Sequence, residues 1–251
     1  MYFSKILPAN LARSELDTNF IFLPFSDPME INNEYRIALL ETLKGFVHFA
    51  ENPDDTTSVF ELQKGLSHHP ISMKCVEFMM SKPEIRQIAE EKYQPQRPSL
   101  DVLVKYPEGT LAHAYAKSLL DANFDPNFFE IIEVVGPGTY LDLRVRQTHD
   151  IWHVMTGFST DLAGELGLQA FQLTQIYTPL SVLLMSSGLL HGISIGADLD
   201  PLLHAIEEGF KIGKTKIPFV AVKWEEHWDR QVTSLREEFG LRAAQYTRVY
   251  E

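Results

Sequence analysis

Apolar side chains recur every three or four residues along most of the chain beyond residue 30, and this spacing restricts the fold more than any other feature. It is typical of amphipathic helices, each of which turns one apolar face to the core. In a first helix, predicted over residues 34–51, we expect the following residues to face inward: Ile37, Leu40, Leu43, Phe46 and Phe49. The only short β-like run is residues 219–222, Phe-Val-Ala-Val. The pattern therefore predicts a mainly α, multi-helix fold.

Prolines, glycines and capping residues predict where the other helices begin and end. The segments with helical periodicity are residues 56–67, 71–81, 82–93, 107–124, 139–157, about 160–177, 201–214 and 224–240. Within residues 107–124, the residues expected to face inward are Leu111, Tyr115, Leu119 and Phe124. Residues 124–129 are expected to form a turn. Pro179, Gly188 and Gly192 are expected to divide the apolar region that follows Tyr177.

The chain is predicted to have an irregular N-terminal segment, residues 1–30, followed by a single helical domain, residues 31–251. Its 45% hydrophobic content is sufficient for one sizeable core. Residues 93–100 carry two prolines and no periodicity, and they precede a half, from about residue 100, that holds the chemically informative motifs. The longest apolar run, residues 179–190, is shorter than the ~20 residues needed to span a bilayer.

Composition restricts the partners and the cellular compartment. The chain has 34 acidic against 22 basic residues and a formal charge of −12, so we expect no nucleic-acid partner. The single cysteine, Cys75, cannot form an internal disulfide and is expected to be a small buried residue. The first twenty residues lack the pattern of a secretory signal or an organelle transit peptide, which predicts a cytoplasmic protein.

Four polar residues near the middle of the chain have the spacing of a metal site. His149 and His153 are one helical turn apart, and Asp150 lies beside them. If a helix ends at Gly157, the next helix returns Glu165, which follows His153 after eleven intervening residues, toward the same point. Imidazole and carboxylate ligands suit a divalent ion: Zn, Fe, Mn, Co or, less well, Mg. The alternative is that these are ordinary surface side chains of two helices.

A second metal-dependent interpretation is a phosphohydrolase of the HD superfamily. That superfamily combines an upstream histidine, a His-Asp pair and a downstream aspartate. The candidates here are His113, the pair His149-Asp150, and one of Asp161, Asp198 and Asp200. This interpretation leaves His153 and Glu165 without roles, and it requires His113 to lie beside the His-Asp pair.

The spacing HDxxH, eleven residues and Glu resembles the signature of the coenzyme Q biosynthesis protein 4 family. Residues 107–110, Pro-Glu-Gly-Thr, followed by Ala114-Tyr115-Ala116, resemble a further segment of that family. Three more features also resemble that family: Arg146 before the His-Asp pair, residues 153–158, and the closing segment from Pro218 to Gly240. The resemblance covers residues 100–241 well and residues 30–100 loosely. Eukaryotic members of the family usually carry a mitochondrial targeting segment, and we expect a bacterial-type homologue because the first twenty residues do not have that pattern.

The resemblance implies a role in ubiquinone or prenylquinone biosynthesis. It implies a divalent metal at His149, Asp150, His153 and Glu165, and an apolar internal channel for a polyprenylated aromatic ring or another isoprenoid lipid. The implied activity is oxidative decarboxylation, in which a ring carboxyl is replaced by a hydroxyl. Peripheral association with the inner side of the membrane, contact with other quinone-biosynthesis enzymes and a homodimer are also expected. The alternative is a prenyl-lipid-binding scaffold without turnover, for which a closed four-ligand metal shell would be typical.

The substrate's chemistry suggests further residues. A channel for the tail could be lined by residues that follow the metal motif, unless they are ordinary core: Phe171, Ile176, Tyr177, Leu180, Leu183 and Leu184. The carboxylate requires a cation, and Arg146, with Arg144 nearby, can hold it unless each is tied up in a salt bridge. We therefore assign catalytic roles to His149 and Arg146.

Two further groups near the end of the chain have candidate roles. Lys211, Lys214 and Lys216 could contact a lipid headgroup or the membrane, or they could simply be solvated. Trp224 and Trp228 are expected to fasten the last helix to the core.

Overall fold

The computed structural model describes most of the chain from residue 33 onward. The described residues are 33–53, 55, 57–67, 69–96, 98–124 and 132–245. The predicted irregular segment, residues 1–30, and most of the predicted turn at residues 124–129 lie outside them.

Eleven α-helices and no strand are present among the described residues, which confirms the mainly α fold. The helices are α1 (Asn33–Glu51), α2 (Thr57–Ser67), α3 (Pro70–Ser81), α4 (Pro83–Glu91), α5 (Leu100–Leu103), α6 (Leu111–Asp121), α7 (Pro137–Thr156), α8 (Leu162–Ile176), α9 (Pro179–Ser194), α10 (Asp200–Ile212) and α11 (Val232–Glu238). No helix in this part of the chain has both the length and the apolar character required to cross a membrane.

Proline and glycine fix most of these boundaries, as predicted. Five helices have a proline at the first or second position, where its missing N–H costs nothing: α3, α4, α7, α9 and α10. Helix α7 ends at Gly157, which has a left-handed backbone with φ of 84°. Asp161 caps the start of α8, and its carboxylate accepts a hydrogen bond from Gly164 N at 2.8 Å.

The predicted inward row of α1 was wrong at its first three positions, which are 50% to 66% exposed: Ile37, Leu40 and Leu43. Three-residue steps turn a helix by about 300°, so a row of five such positions drifts by about 240° and cannot stay on one face. The buried row instead includes Ala38, Thr42 and Phe49, which are spaced by four and seven residues. Phe124, also predicted to face inward, lies beyond the end of α6 and is 50% exposed.

Two predictions for the second half of the chain were also wrong. The β-like run forms a 3-10 turn, Phe219–Ala221. Gly188 and Gly192 do not divide the apolar region, because α9 runs through both. Gly188 instead lets α8 approach, since a Cβ at this position would lie 2.7 Å from a Leu166 methyl.

The C-terminal segment is not the single helix predicted over residues 224–240. It forms a 3-10 turn, Trp224–His227, and then α11. Helix formation is interrupted because backbone groups between the two elements bind the start of α6. Leu111 N donates to Arg230 O at 2.8 Å, and Ala112 N donates to Trp228 O at 3.0 Å.

An aromatic core joins α7, α8 and the C-terminal segment. Trp152, Phe171 and Phe219 meet edge to face at centroid distances of 4.8 to 6.2 Å. Trp224 is fully buried and Trp228 is 7% exposed, so both fasten this segment to the core as predicted. A smaller apolar cluster lies between α1, α2 and α9, with Phe49, Leu62 and Leu184 at its centre.

Candidate metal site

Helix α7 has two opposite faces, and the candidate site lies on the polar one. The core face is apolar except for Arg144, Thr148 and Thr156, which are buried there. The polar face carries Asp142, Arg146, His149 and His153 at spacings of three and four residues. Because Gly157 reverses the chain, α8 returns beside this face and presents Glu165 to it.

Three side chains of this α7–α8 hairpin converge on one point. One ligand atom each of His149, His153 and Glu165 lies within 4.8 Å of the other two. His153 Nε2 is 3.1 Å from Glu165 Oε1, and His149 Nε2 is 3.7 Å from Glu165 Oε2. The two imidazole Nε2 atoms are 3.3 Å apart. Two nitrogens and one carboxylate oxygen at such distances are a donor set that fits a divalent cation.

The backbone orients His153 for this role. Its Nδ1 lies 3.1 Å from the carbonyl oxygen of Phe158. A carbonyl only accepts, so Nδ1 carries the proton and, in the neutral imidazole, Nε2 keeps its lone pair toward Glu165. Second contacts of this kind are typical of histidines that bind metals.

The site is electrostatically coupled in the absence of a cation. Burial of the His153 ring disfavours its charged form, but the Glu165 carboxylate and, more weakly, Asp150 outweigh this, so the pKa of His153 is raised. Burial likewise opposes the charge of Glu165, but the two imidazoles outweigh it and hold the pKa of its carboxyl well below the usual range. Glu165 keeps 35% and His149 keeps 23% of its side-chain exposure, so the cluster is accessible from solvent.

Asp150, the fourth predicted ligand, is not in the three-residue cluster. It is half-buried on α7, directly after His149, and acts on His153 through its charge. A cation held by two histidines and one glutamate would keep a coordination position for water or substrate, as catalytic sites do.

The two arginines of α7 differ sharply. Arg144 is fully buried and forms a bidentate pair with Glu225 at 2.6 and 2.9 Å. It also donates to Val222 O, so its guanidinium is committed to the structure. Arg146, one turn before His149, forms a 3.3 Å ion pair with Asp142 and lies 6.0 Å from the centroid of the Phe60 ring, and its buried Nε has no hydrogen-bond partner among the described residues. Unlike Arg144, it is not held in a bidentate pair.

The six residues predicted to line a channel do not share one environment. Phe171 and Ile176 belong to the main core. Tyr177 is 43% exposed and stacks on Phe78 with a centroid distance of 3.8 Å. The other three belong to the small cluster between α1, α2 and α9: Leu180, Leu183 and Leu184.

The three lysines are exposed at and beyond the end of α10. Lys211 already pairs with Glu207 and Glu208 at 2.9 and 3.1 Å. Lys214 and Lys216 are exposed on the segment that follows.

His113 does not meet the requirement of the phosphohydrolase interpretation. Its Nδ1 bonds to Val104 O at 2.9 Å, and it belongs to no ligand cluster in the described part of the chain. Asp161 and Asp198 use their carboxylates to bind backbone N–H groups. Cys75 is buried as predicted, and burial raises the pKa of its thiol to about 11.

Sequence reasoning missed Gln172, which contacts the cluster directly. Its Nε2 lies 2.9 Å from His149 Nδ1. A signal was present, because Glu165, Gln169 and Gln172 share one face of a mostly apolar helix at spacings of four and three residues.

Comparison with known proteins identifies the family. The family model described as "Coenzyme Q (ubiquinone) biosynthesis protein Coq4" matches residues 29–245. "Ubiquinone biosynthesis protein COQ4, mitochondrial" of Coprinopsis cinerea is 25% identical over 169 residues, which cover 65% of this chain and 57% of that protein. The protein of the same name from Saccharomyces cerevisiae is 25% identical over 217 residues, covering 83% and 63% of the two chains. The chain thus spans less than two thirds of the length of these relatives.

A solved structure agrees with the sequence comparison. The crystal structure of a candidate ubiquinone biosynthesis protein from Nostoc punctiforme PCC 73102 superimposes with a TM-score of 0.74 at 33% sequence identity. The match covers 82% of this chain and 97% of that one. The chain therefore belongs to the family of the coenzyme Q (ubiquinone) biosynthesis protein Coq4.

Proposed function

We propose that the protein binds a divalent metal ion at His149, His153 and Glu165 and uses it in ubiquinone or prenylquinone biosynthesis. The observation that carries this proposal is the convergence of these three side chains on the α7–α8 hairpin, with His153 Nε2 oriented by the Phe158 carbonyl. Zn, Fe, Mn, Co and Mg are the candidate ions. Asp150, one residue from His149, is proposed as a further ligand or as a proton carrier beside the site.

The proposed reaction is oxidative decarboxylation of a prenylated phenol. A ring carboxyl leaves as CO₂, water supplies the hydroxyl that takes its place, and the two electrons released pass to an external acceptor such as O₂, which becomes H₂O₂. A bound cation supplies a Lewis acid that stabilises negative charge on a ring oxygen or on the leaving carboxylate. Arg146 binds the substrate carboxylate, because it lies one turn before His149 and its guanidinium is held only weakly, by a 3.3 Å ion pair with Asp142 and a 6.0 Å approach to the Phe60 ring. His149 either binds the cation through Nε2 or, where the other ligands hold the cation, carries a proton at that atom.

An isoprenoid tail requires an apolar surface near this polar face. The cluster between α1, α2 and α9 supplies Leu180, Leu183 and Leu184, and Tyr177 lies at the start of that region. Phe171 and Ile176 belong to the separate main core and are not part of this surface. We propose that the tail lies along this apolar region. Mass spectrometry of lipids that copurify with the protein tests this, and recovery of no isoprenoid would count against it.

We also propose peripheral contact with a membrane surface, on the cytoplasmic side. Helix α9 carries no Asp, Glu, Lys or Arg, and its outer stripe exposes Val182, Leu190 and Ile193 by 45% to 60%. Lys214 and Lys216 could add headgroup contacts, whereas Lys211 is already paired. When Leu190 and Ile193 are both changed to Ser, less protein should sediment with lipid vesicles than for the wild type. Equal amounts of sedimented protein would contradict the assignment of α9 to the membrane surface. A homodimer and contacts with other quinone-biosynthesis enzymes remain predictions, to be tested by light scattering and copurification.

Metal content and turnover of single variants test the function. His153→Ala and Glu165→Ala should lose both the ion and decarboxylation, whereas Arg146→Met should keep the ion and raise KM for the carboxylated substrate. His113→Ala, on α6, is the control and should change neither. Full metal occupancy in His153→Ala and Glu165→Ala would refute the ligand assignment. A wild type that binds metal and prenyl lipid but does not turn over would instead establish the scaffold alternative.

A further inference from the structure

Gln172 is a buried amide that contacts the candidate metal site from α8. Its residue exposure is 4%, and its Nε2 is 2.9 Å from His149 Nδ1. Two turns before it on the same face lies Glu165. The amide therefore touches the His149 ring at the nitrogen that does not face the cluster.

The contacts of the two imidazoles define where their protons lie. Because the Phe158 carbonyl accepts from His153 Nδ1, His153 Nε2 is the acceptor in its neutral form. Because Gln172 Nε2 donates to His149 Nδ1, His149 carries its proton on Nε2. That proton faces the cluster, where His153 Nε2 lies at 3.3 Å and Glu165 Oε2 at 3.7 Å, so acceptors are available to it without a cation.

A cation at the cluster requires a different arrangement. It needs the lone pair of His149 Nε2, so the proton must move to Nδ1, where it requires an acceptor. Gln172 has such an acceptor in Oε1, which replaces Nε2 when the amide turns by half a rotation about its last bond. The same buried residue can thus satisfy either tautomer of His149.

We propose that Gln172 is a positioning residue that selects the tautomer of His149, donating to Nδ1 without a cation and accepting from Nδ1–H when a cation binds. The proposal rests on the proposed metal site. It assigns Gln172 an effect on metal affinity through His149, without contact between Gln172 and the ion.

Two substitutions at this position separate the proposal from a purely structural role. Gln172→Met keeps the approximate volume but removes the acceptor, and should weaken binding of Zn²⁺ by roughly 10- to 100-fold, as the loss of outer contacts does at other sites. Gln172→Glu, when ionised, only accepts, and should keep or strengthen Zn²⁺ binding. Gln169→Met is the matched control, because Gln169 is 6% exposed on the same helix and bonds to Ser181 instead.

Calorimetric titration with Zn²⁺ measures these affinities, and ¹⁵N NMR of the histidine side chains reads the tautomer of His149. In the metal-free wild type the proton should be on Nε2; in Gln172→Glu it should already be on Nδ1. Unchanged Zn²⁺ affinity in Gln172→Met, or equal weakening in Gln172→Met and Gln172→Glu, would overturn the role of Gln172 alone. Absence of Zn²⁺ binding to the wild type would overturn both this role and the proposed metal site.

Discussion

Replacing Arg144 by Met should lower the free energy of unfolding far more than replacing Arg146 by Met. Arg144 and Glu225 are 0% and 2% exposed and share two short hydrogen bonds, and Arg144 makes a third to Val222 O. Removing one partner of such a pair leaves a buried charge without its counter-charge, which typically costs about 3–5 kcal/mol. For a chain of this size, each kcal/mol lowers Tm by roughly 2–4 °C. The expected fall for Arg144→Met is therefore roughly 6–20 °C.

Arg146→Met is the matched control, because it makes the same change on the same helix. Arg146 forms a 3.3 Å ion pair with Asp142, whose side chain is 46% exposed, and lies 6.0 Å from the centroid of the Phe60 ring, so we expect a loss of about 1 kcal/mol. Urea denaturation followed by circular dichroism measures both values. Adding Glu225→Leu to Arg144→Met should restore much of the stability, because no unmatched buried charge remains. Equal losses in the two single variants would refute the assignment of Arg144 to structure and Arg146 to substrate.

Two further predictions concern the packing of α8 and the coupling of the metal-free site. Gly209→Ala should lower the free energy of unfolding by about 1–3 kcal/mol or more, because its Cβ would overlap the carbonyl oxygen of Gly167 where α8 and α10 cross. Gly138→Ala is the control: its Cβ would meet only the Val76 side chain, at 3.3 Å, so its free energy of unfolding should be within about 1 kcal/mol of the wild type in the same urea assay. With metal removed by a chelator, Glu165→Gln should be less stable than the wild type mainly between pH 4.5 and 6.5, which are the ordinary pKa values of Glu and His. The lowered pKa of Glu165 stabilises the folded wild type above pH 4.5. The raised pKa of His153 contributes its full stabilisation below pH 6.5. The difference in free energy of unfolding between the wild type and Glu165→Gln should shrink as pH rises through the pKa of folded His153, while the affinity of the wild type for Zn²⁺ rises. A stability difference that grows toward pH 9 would contradict the coupling of Glu165 and His153.

The local features of the site could be predicted from sequence because helix geometry fixes them. Histidines four residues apart share a face in any α-helix, and Gly157 and Asp161 are residue types that end and begin helices. The return of Glu165 to His153 followed from these two rules. The resemblance to a known family was independent support for the same residues.

Three features could not be predicted from the sequence because they depend on tertiary contacts: the burial of Arg144, the contact of Gln172 and the conformation of residues 219–221. Arg144 and Arg146 are two residues apart and therefore lie on opposite sides of α7, but nothing in the local pattern says which side is the core. The contact of Gln172 with His149 depends on the register between α7 and α8. Residues 219–221 have strand-forming side chains, yet Phe219 is placed by the aromatic core and by Gln175, whose Oε1 accepts from Phe219 N at 3.0 Å.

The α7–α8 hairpin is proposed to hold a cation with an open coordination position. Anomalous diffraction at the zinc edge, from crystals of the protein loaded with Zn²⁺, measures this directly. We expect one peak at about 2.0–2.2 Å from His149 Nε2, His153 Nε2 and a Glu165 carboxylate oxygen, with a water molecule or substrate completing the shell. A peak elsewhere on the chain, or no peak at the hairpin in loaded crystals, would contradict it.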